Sequence, residues 1–179
     1  MTLRRVLIAA LLVSLVLAPS PARSHGDWGH VQVTRWAIES LPPGPLKEFF
    51  AEPAVREAAL FGAAFPDSGY WADGPAEREY GEYTHWEPFI QAFVEHIRTN
   101  QPPPFAMLEQ RKLVAFLMGC GAHGLQDEIF DSLFLFQVDE HDGGNQEDAD
   151  GGTDFFLVED GVLPFDLVEF VPMDALLPL

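Results

Sequence analysis

Apolar positions recur at helical spacing through most of the chain, the pattern of helices that bury one face. Trp28-Gly29-His30 opens the first stripe, which Val31, Trp36, Ala37, Ile38 and Leu41 continue and Pro42-Pro43-Gly44-Pro45 stops. A second helical stretch runs from Leu46 to about Gly62, and Pro53 inside it fits best as the first residue of a new helix. Phe65-Pro66-Asp67-Ser68-Gly69-Tyr70 reads as a loop or turn, and irregular chain is expected from Asp73-Gly74-Pro75 up to Thr84. Thr84 is then the expected N-cap of a helix, with Glu87 as its capping-box partner. Phe89, Ile90, Phe93, Val94 and Ile97 form that helix's apolar face, and Gln101-Pro102-Pro103-Pro104 ends it. The next helix is expected from near Phe105, carrying Leu108, Leu113, Phe116 and Leu117. At most a short kink at Gly119–Gly121 separates it from a continuation to about Phe136. Asp139 to Asp154 is acidic and glycine-rich and reads as a loop; Phe155 to Val158 reads as a short strand or a helix turn. Met173 to Leu177 looks like a helix just beginning, which suggests a C-terminally truncated chain or a short family member. The predicted class is all-α, with most of the phenylalanines at core spacing.

The N-terminal apolar run has a different origin. Arg4 and Arg5 precede Val6 to Ala18, followed by Pro19-Ser20-Pro21 and the small residues of Ala22-Arg23-Ser24. This is a signal-peptide layout over residues 1–24, too short for a membrane span. Cleavage after Ser24 leaves His25 as the first mature residue; an uncleaved anchor is the alternative. Residues 25–179 are then one domain of roughly 155 residues, enough for one core. The expected location is secreted or periplasmic. Cys120 is the one cysteine, so no internal disulfide can form. An exported chain without disulfides is compatible with metal ions as its staples.

Charge narrows the partners. The formal net charge is −18, and no Lys or Arg follows Lys112. Such a surface repels phosphate backbones and anionic lipid. Nucleic-acid binding through basic patches is disfavoured, and no protein partner is inferred. Bound divalent cations would reverse the field locally.

The candidate chemistry gathers around Gly119 to Asp131. His123, Asp127 and Asp131 stand four apart, which puts them on one helical face. Imidazole and carboxylate on one face can grip a divalent metal such as zinc. Asp67 and His85 lie where irregular chain meets a helix, and His30 lies at the start of the first one. The amine of a freed N-terminus at His25 or nearby is a further ligand. The bland alternatives are an ordinary hydrogen-bonded His-Asp pair, a turn aspartate at Asp67 and a cap at His85. His96 and His141 read as solvated. Asp148-Ala149-Asp150-Gly151-Gly152-Thr153-Asp154 places oxygen ligands two apart around glycines, as calcium prefers, but lacks the glutamate that closes an EF-hand.

The order of these segments resembles the zinc-dependent phospholipase C family, most closely the branch of the glycosylphosphatidylinositol-specific phospholipase D catalytic domain. The matching text is Trp28-Gly29-His30-Val31, Phe65-Pro66-Asp67-Ser68-Gly69-Tyr70, Thr84-His85-Trp86-Glu87-Pro88-Phe89 and His96-Ile97-Arg98. It continues through Leu113-Val114-Ala115-Phe116-Leu117-Met118-Gly119, His123-Gly124-Leu125-Gln126-Asp127 and Asp150-Gly151-Gly152-Thr153-Asp154. The resemblance implies an all-α, P1-nuclease-like helical domain holding two or three zinc ions. One zinc would take Asp67, His85, His123 and Asp127; Asp127 would bridge to another, held by His30 and the mature N-terminus, at His25 or Trp28. The family's third zinc uses two histidines where this chain has Asp131 and Gln146, with Asp150 as the acidic partner. Asp131, Asp150 and Asp154 could instead make an all-oxygen site suited to calcium or magnesium.

The implied activity is hydrolysis of a phospholipid or related phosphate ester, with Asp67 as general base as well as ligand. Trp28, Tyr70, Trp71 and Trp86 would line a cleft for a lipid head group or else belong to the core. Transient contact with a membrane surface fits such a substrate. The alternatives are a single-strand nuclease of the same superfamily, or a degenerate metal-binding protein without activity.

Overall fold

The computed structural model describes residues 26–101, 103–143, 154, 155, 157, 159, 161, 170–177 and 179. The expected leader, with His25, and the glycine-rich stretch holding Gln146 and Asp150 lie outside them. Every regular element among the described residues is helical, so the all-α expectation holds there. In chain order these are α1 (Asp27–Ser40), α2 (Pro45–Phe49), α3 (Pro53–Ala64), a 3₁₀ helix (Pro66–Trp71), α4 (Pro75–Thr84), α5 (Glu87–Asn100) and α6 (Leu108–Ile129). A π-helical stretch (Phe130–Leu135), α7 (Phe136–Asp142) and α8 (Met173–Leu176) follow. No helix among the described residues is long and apolar enough to cross a membrane.

Pro45, Pro53 and Pro75 each stand in the first turn of their helix, where proline's missing N–H costs nothing and its fixed φ is already helical. Pro53 therefore begins α3 as expected. Three boundaries differ from the sequence reading. Pro75 to Thr84 is helix α4, not irregular chain, and Thr84 ends it. The Thr84 hydroxyl donates to the Gly81 carbonyl at 2.7 Å instead of capping α5. Trp86 is the N-cap of α5, without a side-chain cap bond. The next helix begins at Leu108, after Phe105 takes a left-handed φ of 49° that helix cannot continue.

The long α6 packs on α3 at the heart of the molecule and runs as one helix through Gly119–Gly121, where at most a short kink is expected. A Cβ on Gly119 would run into the Ala59 carbonyl and sit 2.7 Å from the Ala63 amide. One on Gly62 would strike the Phe116 carbonyl. These two glycines let the backbones of α3 and α6 approach closely. Gly119→Ala is thus expected to destabilise the fold by about 1–3 kcal/mol through overpacking, read as a lower urea midpoint at unchanged slope. A midpoint within error of the parent would show that the helices separate freely.

Phe65, Phe89, Phe93, Phe116 and Leu113 form one buried cluster, to which Ala175 and Leu176 of α8 add. Val31, Ile38, Phe50, Val55, Leu60 and Ala115 form a second. Each full burial of such a side chain is worth roughly 1.5–3 kcal/mol against exposure. Trp36 and Ala37 do not share the buried face of α1, where Gln32 and Thr34 are buried instead. Phe134, Phe136 and Phe155 are likewise exposed. Asp139 to Asp142 belong to α7, so the acidic stretch is not all loop.

Candidate metal centre

Four elements bring five of the expected residues to one buried point. His30 comes from the first turn of α1, Asp67 from the 3₁₀ helix, His85 from the α4–α5 junction, and His123 and Asp127 from successive turns of α6. His30 and His123 are fully buried and Asp67 is 2% exposed. Burying a carboxylate that deeply is costly unless an opposite charge or a bound cation compensates.

The donors form two groups that share His123: His30, His123 and Asp127, and Asp67, His85 and His123. Within each, one ligand atom per residue lies within 4.8 Å of the others. His123 Nε2 is 3.2 Å from Asp127 Oδ2 and 3.7 Å from Asp67 Oδ1. His30 Nε2 is 3.3 Å from Asp127 Oδ1 and 3.8 Å from Asp67 Oδ2. His85 Nε2 is 3.2 Å from Asp67 Oδ1. Ligand atoms on one tetrahedral zinc, each about 2.1 Å from it, stand about 3.4 Å apart. The observed separations bracket that edge length.

The tautomers point the same way. His123 Nδ1 lies 2.7 Å from the Ala63 carbonyl and His85 Nδ1 2.8 Å from the Gly81 carbonyl. A carbonyl only accepts, so both Nδ1 atoms carry protons and turn Nε2 inward. His123 Nε2 and Asp67 Oδ2 are buried without a hydrogen-bond partner among the described residues. Two acceptor types facing each other at this depth fit a cation between them. The rings are packed: His30 stacks on His123 at 3.8 Å between centroids, and His85 meets His123 edge-on at 4.7 Å.

In the metal-free chain the His85 pKa is raised above its ordinary 6.5. Burial, the largest influence, lowers it; the hydrogen bonds to Asp67 and the Gly81 carbonyl and the charges of Asp67 and Asp127 together outweigh burial. A raised folded pKa gives stability that is full below the unfolded value and lost as pH rises through the folded one. In chelator, the urea midpoint of the parent should therefore exceed that of His85→Gln most below about pH 6.5. A gap that widens with rising pH would contradict this pairing.

Asp131 belongs to neither group. It is exposed at the start of the π-helical stretch. Partial desolvation and the charges of Asp127 and Glu128 raise its pKa. Asp154 accepts the Gly29 amide of α1 at 3.0 Å, capping the helix that carries His30. A side chain at Gly26 would collide with that carboxylate.

Trp28, Trp71 and Trp86 are exposed, not core. Glu82 was missed from sequence because its helix was missed: it accepts the Tyr70 hydroxyl at 2.6 Å and the Trp86 indole at 3.0 Å. The Tyr70 ring lies 5.4 Å from His85. Burial first, then the bond to Glu82 and the charges of Glu82, Asp67 and Asp127, raise the Tyr70 pKa well above its usual range, so the phenol remains a donor. Cys120 is buried, and burial holds its thiol far above the range where thiolates form. His141 is exposed and His96 half-buried, both away from the cluster.

No family model and no solved structure matches the chain. Curated proteins do. Phosphatidylinositol-glycan-specific phospholipase D from Mus musculus is 34% identical over 159 residues, 82% of this chain and 18% of that protein. The same-named proteins of Rattus norvegicus and Homo sapiens are 34% and 33% identical, over 72% and 70% of this chain and 16% of each of theirs. The chain spans less than a fifth of the length of the curated relatives it matches.

Proposed function

We propose, from this relationship to phosphatidylinositol-glycan-specific phospholipase D and from the two ligand groups, that the chain is a zinc-dependent hydrolase of a phospholipid phosphate ester. It would be of the kind found in the zinc-dependent phospholipase C family and would act outside the cytoplasm after loss of its leader. The single observation that carries the reading is the pair of three-donor groups sharing His123. That arrangement fits two adjacent ions; among the described residues Asp131 belongs to neither group, so the reading takes two zinc ions there.

His123 has one inward lone pair and would serve one ion, with Asp67 and His85; His30 faces the other position, and Asp127, with Oδ2 3.2 Å from His123 Nε2 and Oδ1 3.3 Å from His30 Nε2, would be shared between them. Zinc in such a site supplies Lewis-acid charge for the non-bridging oxygens of the phosphate. The chain supplies the rest. The Ala63 and Gly81 carbonyls fix the two imidazole tautomers. Asp67 would serve both as ligand and as the base that takes a proton from an attacking water. Tyr70, its hydroxyl donated to Glu82, stands beside His85, and the exposed Trp28, Trp71 and Trp86 offer flat apolar faces to the substrate.

Elemental analysis of the purified chain should find two zinc ions per molecule. Phosphatidylinositol and phosphatidylcholine should be hydrolysed in preference to single-stranded DNA. Hydrolysis of DNA alone would move the chain to the nuclease reading. Zinc without any hydrolysis would leave a metal-binding protein.

A further inference from the structure

The flank of α1 and α6 next to the ligand cluster is a continuous apolar surface. One groove of about 340 Å³ runs between α1 and α6, and a second of about 280 Å³ extends it along the π-helical stretch. They share Val33, Gln126 and Ile129. Neither has a charged residue in its lining. Leu125, Ile129 and Leu133 rise from it, 61%, 50% and 67% exposed, with Phe134 at 46%. Apolar surface of this continuity on a folded chain marks a contact site.

Its position relates it to the chemistry. The groove begins where Gln126 donates to Thr34 at 2.9 Å. Thr34 is one helical turn beyond His30, about 6 Å along α1, and Gln126 adjoins Asp127. A phosphate at the ligand cluster would therefore have an uncharged apolar trough within one turn of it, the spatial order of headgroup and hydrocarbon in a phospholipid. We propose that this face seats on the hydrocarbon of a net-neutral phospholipid surface, an inference that rests on the phospholipid-hydrolase reading. Charge selects the kind of surface. A chain of net charge −18, without Lys or Arg beyond Lys112, is repelled by an anionic leaflet. What draws it to a zwitterionic one is apolar contact, which salt does not screen.

The test places an environment-sensitive dye on Leu133→Cys; the native Cys120 is buried and does not compete for label. Phosphatidylcholine vesicles should shift the dye to the blue, equally at low and at roughly 0.5 M salt. Adding phosphatidylserine should weaken binding. A second change, Leu125→Glu, should lower partitioning at least about tenfold with helix content and zinc content unchanged. A dye on Glu109→Cys, remote from the groove, should not respond, which separates this face from insertion by the leader. The proposal is overturned by a silent dye at 133, by preference for anionic vesicles, or by a shift that grows with protein concentration in the absence of lipid. The last result would make the face an interface between copies. Hydrolysis is not measured, so failure of the catalytic reading would appear in the substrate panel and not in this assay.

Discussion

His123→Ala is expected to cost the protein one ion and abolish hydrolysis. His123 lies in reach of both ligand groups, and its one inward lone pair, on Nε2, serves a single ion. A four-ligand zinc site binds with about 10–16 kcal/mol, roughly 3 kcal/mol per ligand, so losing one ligand costs on the order of 10²–10³-fold in affinity. Because the phosphate would need both ions, losing one should drop turnover by at least about 10³-fold. The fold should survive, since the ring's structural contacts are one bond to the Ala63 carbonyl and packing on His30 and His85. His123→Gln, closer in volume, checks that metal is lost for want of a ligand and not through collapse. His96→Ala, outside both groups, should keep its zinc and its activity. If His123→Ala purifies with its full complement of zinc, the site has been placed wrongly.

That variant probes a residue whose position was legible in advance, and the reason is local. His123 and Asp127 are four apart within an apolar helical run, so their common face follows from helix geometry alone. Asp67 and His85 stand out because each is read where irregular chain meets a helix, although His85 in fact follows helix α4 directly, and His30 because it opens a helix. What could not be read depends on packing between distant segments. Helix α4 carries glutamates, an arginine and tyrosines with no clear apolar stripe; it is held by the 3₁₀ helix, where a Cβ on Gly69 would stand 2.5 Å from Gly81 Cα. Without that element Thr84 looked like a cap, and Glu82, which joins Tyr70 to Trp86, was invisible. The π-helical stretch after Ile129, on which Asp131 stands, has no signature in apolar spacing. Spacing also could not distinguish Phe116, fully buried, from Phe134 and Phe136, which remain exposed.

Removing the metal from the unmodified chain should lower its thermal midpoint by on the order of 10 °C. The sign follows from the burial of the donors. Asp67 is 2% exposed and lies against three imidazoles, with the Asp127 carboxylate beside two of them. With a cation present, these charges and lone pairs are compensated. Without it, His123 Nε2 and Asp67 Oδ2 stay buried with no hydrogen-bond partner among the described residues. The unfolded chain has no such arrangement, so the cation binds mainly the folded state. Free metal at a thousandfold excess over its dissociation constant then adds about 4 kcal/mol. For a domain of this size each kcal/mol moves the midpoint by about 2–4 °C, giving a drop of roughly 8–16 °C on chelation. Calorimetric scans with zinc and with a chelator measure it. Acid should narrow the difference, because zinc competes with protons for the inward-facing imidazoles. His141→Ala, an exposed change, should leave the difference intact, whereas in His123→Ala the two scans should lie closer together. Coincident scans in the parent chain would mean that these five residues pair among themselves and hold no ion that the fold depends on.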